Sequence, residues 1–161
     1  MALVSLCDGR YVFDLNDMTK DNNGNWIIVE DQRTHEKVFV KEFLKFRYVV
    51  PEPGESLSAQ QKKNNDRTER YRARMEKIKT LLDQVAGKGG SVVVLLSVQR
   101  DRPDSCYLFK VTPCVDYLHW KDEELPQHLG VRQADALMRS LTVAMKTLHS
   151  IGLLHCDLKT D

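Results

Sequence analysis

The sequence predicts an α+β fold, in which a five-stranded antiparallel sheet carries one helix and is followed by a connecting segment and a second long helix. Three observations predict it. Short β-type runs alternate with polar turns over residues 10–45, and two more lie within residues 91–111. Two other segments have apolar residues at helical spacing. Because the strands cluster together, the order β-β-β-α-β-β-α is typical of an α+β fold.

The first three strands are predicted to form an antiparallel meander. Residues 11–13, 26–29 and 37–43 are short apolar or aromatic runs, and the second is rich in β-branched side chains. The polar turn between the first two contains Asn23 and Gly24. Asn-Gly is a strong hairpin signal, because both residues tolerate positive φ.

A helix and two further strands are predicted next. After a polar loop over residues 51–66, a helix is predicted over residues 66–85, where apolar residues recur at every third or fourth position. Strands are predicted over residues 91–98 and 106–111, and the second is expected to end before Pro113.

The last helix is predicted to begin at Val131 and to end at Ile151, where Gly152 stops it. Its apolar residues recur at helical spacing, which predicts an apolar face that must pack against other atoms to be buried. Such a face favours a protein partner, self-association through this helix or a swapped arrangement. The residues concerned are Leu137, Met138, Leu141 and Met145.

Composition excludes several classes of protein. The formal net charge is +1, so no strong field favours nucleic acid or an anionic membrane as a partner. No run approaches the roughly 20 apolar residues of a membrane span. The four cysteines have neither CxxC nor zinc-site spacing, which predicts no metal ligands among them. Free thiols favour a cytoplasmic, or at least intracellular, location.

The segment over residues 148–159 carries the most specific motif. It reads Leu-His-Ser-Ile-Gly-Leu-Leu-His-Cys-Asp-Leu-Lys. It resembles the catalytic loop of protein kinases, His-Arg-Asp-Leu-Lys, with Cys156 in place of the arginine. The resemblance implies that Asp157 accepts the proton of the substrate hydroxyl and that Lys159 lies beside the transferring phosphate. A lysine at this place implies serine/threonine specificity.

The sequence Val38-Phe39-Val40-Lys41 resembles the Val-Ala-Ile-Lys motif of the same family. The resemblance implies that Lys41 binds the α- and β-phosphates of ATP. Strand alternation predicts Phe39 and Lys41 on one face, with the two valines on the other. The order of elements also matches the family. It implies a small ATP-binding lobe over residues 1–112, and a hinge with the beginning of a large lobe over residues 113–161.

The resemblance also implies residues around the nucleotide. Only Gly24 remains of the three glycines in the loop that covers the phosphates, and Asn23 lies beside it. The adenine is expected to lie between Val29, Phe39 and either Leu108 or Val111. Together with Lys41, these residues are the predicted ATP contacts on the strands and their turns.

The family also has a helix glutamate that pairs with the strand lysine. Glu69 and Glu76 are the candidates, and the distance to the following strand favours Glu76. Both lie roughly opposite the apolar stripe on an ideal helix. Glu76 is therefore predicted as the partner of Lys41, although its wheel position argues against the pairing.

Three interpretations of function are open, of which the first two follow from the resemblance. The first is the ATP-binding portion of a serine/threonine protein kinase, with ATP and Mg²⁺ as cofactors and a protein substrate, completed by a large lobe. The sequence ends at Asp161, before the family's magnesium-holding positions, so this chain alone is expected not to transfer phosphate. The second is a pseudokinase-like regulatory module that engages a protein partner. The third is an unrelated α+β domain with chance matches.

Overall fold

The computed structural model describes residues 3–21, 24–42, 52–86, 92, 94–102, 107–114 and 130–156. The strands within them are β1 (Leu3–Leu6), β2 (Tyr11–Asp14), β3 (Thr19–Asp21), β4 (Gly24–Glu30), β5 (Lys37–Glu42), β6 (Ser97–Arg100) and β7 (Leu108–Pro113). The helices are α1 (Leu57–Asp83) and α2 (Val131–Ser150), and one 3-10 turn occupies Leu15–Asp17. The described residues thus form the predicted α+β fold.

The chain divides into two compact units. One consists of Met1–Lys79 and Leu95–Cys114, and the other of Thr80–Val94 and Val115–Asp161. The first unit holds the described strands and most of α1, while the second holds the last residues of α1 and all of α2. The division into two lobes at residue 112 stays a prediction.

The predicted five-stranded antiparallel sheet is present in the first unit. Its strand order is β3-β4-β5-β7-β6, and each neighbouring pair is antiparallel. The central strand is β5, which pairs with β4 on one side and with β7 on the other. Side chains of β5 therefore have cross-strand neighbours on both sides.

The predicted first strand of the meander was wrong. Residues 11–13 do belong to a strand, but this strand, β2, pairs with β1 in a separate two-stranded sheet. The first strand of the meander is instead β3, in which Thr19 pairs with Trp26 and Asp21 with Gly24. The 3-10 turn after β2 separates the two sheets along the chain.

The β1–β2 hairpin covers one face of the large sheet and forms the main core with it. The ring of Phe13 meets the ring of Phe109 edge to face, with centroids 5.5 Å apart. Full burial of each large apolar side chain contributes about 1.5–3 kcal/mol. The buried members of this core are Val4, Leu6, Tyr11, Phe13, Met18, Val38, Val40, Phe109 and Val111. We call the face of the large sheet that carries Val38, Val40, Phe109 and Val111 the core face.

Polar contacts also fix the hairpin to the sheet. The Cys7 N–H donates to Gln99 Oε1 at 2.8 Å, and Cys7 Sγ lies 3.2 Å from Ser97 Oγ. Both partners belong to the edge strand β6. The hairpin is therefore held at an edge of the sheet as well as over its centre.

A buried ion pair joins the beginning of β2 to the turn between β4 and β5. Arg10 Nε donates to both carboxylate oxygens of Asp31, at 2.9 and 2.8 Å, and Arg10 Nη2 lies 2.6 Å from Oδ2. The Asp31 side chain is only 2% exposed, and it also accepts from the Arg33 N–H at 2.9 Å. The Arg10 guanidinium lies 5.2 Å from the centre of the Tyr11 ring. One carboxylate thus ties the hairpin to the sheet.

The first helix begins nine residues earlier than the sequence predicted, at Leu57 and not at residue 66. Ser56 precedes it and caps it, because its hydroxyl accepts from the Ala59 N–H at 3.2 Å. Lys63 Nζ lies 2.8 Å from Glu55 Oε1 and holds the preceding residues against the first turns. The early turns are polar, so they lack the apolar period on which the prediction relied.

The last two strands also differ from their predicted bounds. The strand predicted over residues 91–98 is β6, which begins only at Ser97, and residues 91 and 93 lie outside the described residues. The strand predicted to stop before Pro113 is β7, which includes Pro113 as its last residue, paired with Val38. A proline at the end of a strand removes no hydrogen bond from the strand's interior, so it does not break the ladder earlier.

The second helix agrees with its predicted bounds to within one residue. At its start the Gly130 N–H donates to Gln133 Oε1 at 3.0 Å. At its end the Gly152 N–H donates to the His149 carbonyl and the Leu153 N–H to the Leu148 carbonyl, each at 3.0 Å. This pair of bonds is a Schellman motif, and it requires the left-handed φ of +75° found at Gly152.

The surface of α2 carries large apolar side chains. Leu137, Met138 and Val143 are 45%, 59% and 48% exposed, and Ala144 is the buried residue of the helix. The expected need for cover by a partner stays a prediction. Neither described helix is both long and apolar enough to cross a membrane.

The first prediction concerns the Asp31 carboxylate. Asp31→Asn is expected to lower the free energy of unfolding by about 1.5–3 kcal/mol, because it removes the charge from the bonds to Arg10. The Arg10 hydrogen bonds lower the pKa of Asp31 below its ordinary value. A depressed carboxyl pKa stabilises the fold at neutral pH, and this contribution is lost as pH falls below about 4. Urea unfolding at pH 7 and pH 3 measures both effects.

Asp135→Asn is the matched control, since Asp135 pairs with Arg139 on the exposed surface of α2. It is expected to change the unfolding free energy by less than about 0.5 kcal/mol. If both variants lowered the free energy of unfolding equally at pH 7, the role given to Asp31 would be contradicted.

The second prediction concerns the end of α2. Gly152→Ala is expected to lower the free energy of unfolding by about 1–2 kcal/mol, because an L-residue is strained at this φ. Steric overlap does not contribute, since the added Cβ meets no atom within 4 Å. Thermal unfolding followed by circular dichroism measures the loss. Gly130→Ala is the control, because Gly130 has an ordinary φ of −64°. A Gly152→Ala variant as stable as the control would refute the strain.

Candidate functional site

Lys41 lies on the central strand of the sheet, between two side chains that are directly opposite it. Trp26 of β4 is its partner on one side and Lys110 of β7 is its partner on the other. Directly opposite residues of an antiparallel pair project to the same face. We call this face, which is the reverse of the core face, the lysine face.

The burial of β5 follows the predicted alternation. Val38 and Val40 are buried at 2% and 0% exposure, whereas Phe39 and Lys41 are half-buried on the reverse side. Glu42, on the core face, is 2% exposed and accepts from Asn25 Nδ2 at 2.6 Å. The predicted placement of Phe39 with Lys41 on one face is therefore confirmed.

Two aromatic rings stack beside Lys41. The Trp26 and Phe39 ring centroids are 5.3 Å apart, and the planes are inclined by 27°. Ile28, directly opposite Phe39, is 45% exposed on the same face. Phe39 stands where the family motif has alanine, so this face carries more aromatic surface than the resemblance implies. We call the stacked pair the aromatic step.

Helix α1 is attached to the same face of the sheet. Arg100 of β6 projects to the lysine face, because it pairs with Leu108, and its Nη2 donates to Asn65 Oδ1 at 2.8 Å. The helix is thus anchored at the β6 edge, while the aromatic step lies on β4 and β5. Between the β6 edge and the aromatic step, the lysine face carries Val98 and Leu108, which are 1% and 0% exposed.

The predicted adenine contacts fall on both faces of the sheet. Val29 pairs with Val38 and Val111 pairs with Val40, so both lie on the core face, away from Phe39. Val111 is fully buried there. The adenine roles of these residues stay predictions. Leu108, the predicted alternative to Val111, does share the face of Phe39, together with Trp26, Ile28, Lys110 and Thr112. Sequence reasoning did not assign Trp26, Ile28 or Thr112 to the adenine, because it did not know the register.

Gly24 begins β4, where it is buried and has a φ of +115°, which favours glycine. It pairs with Asp21 across the hairpin. Asn23 lies outside the described residues. The phosphate contacts predicted for Gly24 and Asn23 stay predictions.

The candidate glutamates lie on α1. Glu69 accepts from Arg72 Nε at 2.9 Å, and this hydrogen bond lowers the pKa of Glu69. Glu76 is half-buried. The pKa of Arg72 is raised mainly by its hydrogen bond to Glu69, and the charge of Glu76 raises it further. Lys41 has no ion pair with another described residue. The role predicted for Glu76 stays a prediction.

The catalytic-loop residues Asp157 and Lys159 lie outside the described residues. Before them, residues 153–156 have no regular secondary structure. Cys156 is exposed and has a φ of +59°, which is uncommon for a residue other than glycine. The roles of Asp157 and Lys159 stay predictions.

The described residues differ in how well they suit the two predicted cofactors. They contain no group of three His, Cys, Asp or Glu side chains that could hold a metal ion. Mg²⁺ binds through one or two carboxylates together with the phosphates of a nucleotide, so the predicted Mg²⁺ stays a prediction. The lysines and aromatic rings of the lysine face do suit a polyphosphate joined to a planar base.

Comparison with known proteins assigns no family. A scan of the sequence against protein-family models finds no match, and no curated protein matches it. The kinase resemblance therefore depends on the motifs and on the order of the elements.

The third prediction concerns the aromatic step. In a Trp120→Phe background, where Trp26 is the remaining tryptophan, Phe39→Ala is expected to shift Trp26 emission to longer wavelength. The cause is loss of the stacked ring, which is worth about 0.5–1.5 kcal/mol beyond its buried area. Ile28→Ala, on the same face, is the control and is expected to shift the emission less. An emission maximum unchanged by Phe39→Ala would contradict the stacking.

Proposed function

We propose that this chain is the ATP-binding portion of a serine/threonine protein kinase. It would act in phosphoryl transfer from ATP to a protein hydroxyl when a large lobe completes the site. The observation that carries the proposal is the place of Lys41, on the central strand of a five-stranded antiparallel sheet. A helix that follows this strand in the chain is anchored to the same face, through Arg100 and Asn65.

The residues have separate roles in this proposal. Lys41 binds the nucleotide phosphates, as the motif Val38-Phe39-Val40-Lys41 implies. The bound nucleotide supplies the phosphoryl group. Asp157 holds the substrate hydroxyl and accepts its proton, while Lys159 offsets charge on the transferring phosphate.

A pseudokinase-like module that binds a protein partner without catalysis is the second candidate. The loop that covers the phosphates in the family favours it, because only Gly24 of the three glycines remains. Cys156, in place of an arginine, also departs from the family. In this role the chain would still use its sheet and α1 as a scaffold.

Partners and location form part of the same proposal. The partners are a nucleotide and either a protein substrate or a complementing large lobe. A second copy bound along α2 is the alternative cover for its exposed apolar residues. We place the protein in the cytoplasm, where its cysteines would remain reduced. The described cysteines, Cys7, Cys114 and Cys156, are free thiols.

The fourth prediction tests the nucleotide site. A ligand that binds only the native state must stabilise it, and a tenfold excess over Kd adds about 1.4 kcal/mol. With ATP and magnesium at that excess, thermal unfolding is expected to shift upwards by roughly 3–6 °C. Lys41→Met is expected to abolish the shift. Lys37→Met is the matched control, since Lys37 lies on the same strand and face but is exposed at its far end.

The outcomes separate the two candidate functions. A shift lost in Lys41→Met and kept in Lys37→Met would support the kinase proposal. Absence of a shift at millimolar ATP would refute nucleotide binding and favour the partner-binding module. A shift that survives Lys41→Met would mean that ATP binds elsewhere.

A further inference from the structure

Lys110 is the feature of the lysine face that the kinase motifs do not account for. It lies on β7, directly opposite Lys41 of β5, and both side chains are half-buried. Directly opposite residues have Cβ atoms about 4.5–5.5 Å apart, and like charges at this spacing destabilise a sheet. The pairing therefore concentrates positive charge at the centre of the sheet.

The surroundings add to this charge. On the lysine face, strands β4 to β7 carry a single carboxylate, Glu30, which lies 2.7 Å from His35 Nδ1 at the far end of β4. They carry four cationic side chains, which are Lys37, Lys41, Arg100 and Lys110. Lys37 is exposed and lies directly opposite Glu30 at the far end of β5, so the two cations at the centre of the face are Lys41 and Lys110.

Trp26 of the aromatic step lies on the other side of Lys41 from Lys110. Trp26 is directly opposite Lys41 on β4, and its ring stacks on Phe39. Across three adjacent strands the order is therefore aromatic ring, lysine, lysine. This order matches a nucleotide, in which a planar base is followed by a chain of phosphates. Bases stack on aromatic rings, and phosphates bind cations.

We propose that Lys110 is a second phosphate-binding residue, which acts with Lys41 in a single site for the polyphosphate chain of a nucleotide, while the base stacks on the aromatic step. This inference rests on the proposed nucleotide-binding function and adds a residue to it. A polyphosphate between the two ammonium groups relieves the repulsion across the strands. Burial, and then the charge of Lys41, lowers the pKa of Lys110, which agrees with two cations held close together.

The test is a titration of Trp26 fluorescence in the Trp120→Phe background, with ATP, ADP, AMP and inorganic tripolyphosphate as separate probes. Affinity is expected to rise with the number of phosphates. Lys110→Met is expected to weaken ATP about tenfold and AMP less than threefold, whereas Lys110→Arg keeps ATP within threefold. Lys37→Met is the control and leaves the whole series unchanged. Lys110→Gln serves as the neutral variant if circular dichroism shows that Lys110→Met does not fold.

The outcomes distinguish this inference from the proposed function. If ATP binds and Lys41→Met abolishes binding, but the neutral Lys110 variant binds ATP like the parent, the inference is overturned and the ATP site stands. If ATP does not bind but tripolyphosphate does, and its binding needs both lysines, the shared anion site stands and the ATP-site proposal fails. If neither probe binds, both are overturned.

Discussion

The structure depends on the alternation of side chains along β5. Val38 and Val40 must meet the β1–β2 hairpin, and this requirement places Phe39 and Lys41 on the reverse face. Since side chains alternate with a period of two, a slip of one residue would bury Lys41 and expose the valines. Burial of the hairpin thus determines the position of the lysine, although the hairpin itself lies on the opposite face.

The same alternation determines which side chains of the neighbouring strands lie on the lysine face. Once β5 is fixed, its pairing with β4 places Trp26 and Ile28 on the lysine face, and its pairing with β7 places Lys110 there. The buried Arg10–Asp31 pair supports this register, because it holds the hairpin to the turn that joins β4 and β5. The lysine face is therefore a product of packing elsewhere in the unit.

Local patterns in the sequence predicted what depends on local physics. The strand character of β4 and β5, the alternation at Phe39 and Lys41, and the end of α2 at Gly152 all follow from side-chain type and spacing. Register does not, so Val29 was grouped with Phe39 although it lies on the core face. The early start of α1 depends on the Ser56 cap and on an ion pair, neither of which produces an apolar period.

Two features of this face, of which Phe39 is a departure from the kinase motif, have a common physical consequence. An aromatic ring replaces a small side chain at Phe39, and a second cation stands beside Lys41. A slot between small aliphatic side chains holds a base by enclosure, whereas a stacked pair of rings holds it by face-to-face contact on an open surface. Such contact gives less enclosure, so a larger share of the binding energy must come from the phosphates. In the proposed site, a second lysine next to the first would supply that share, and this is the reason to treat Phe39 and Lys110 as parts of one arrangement.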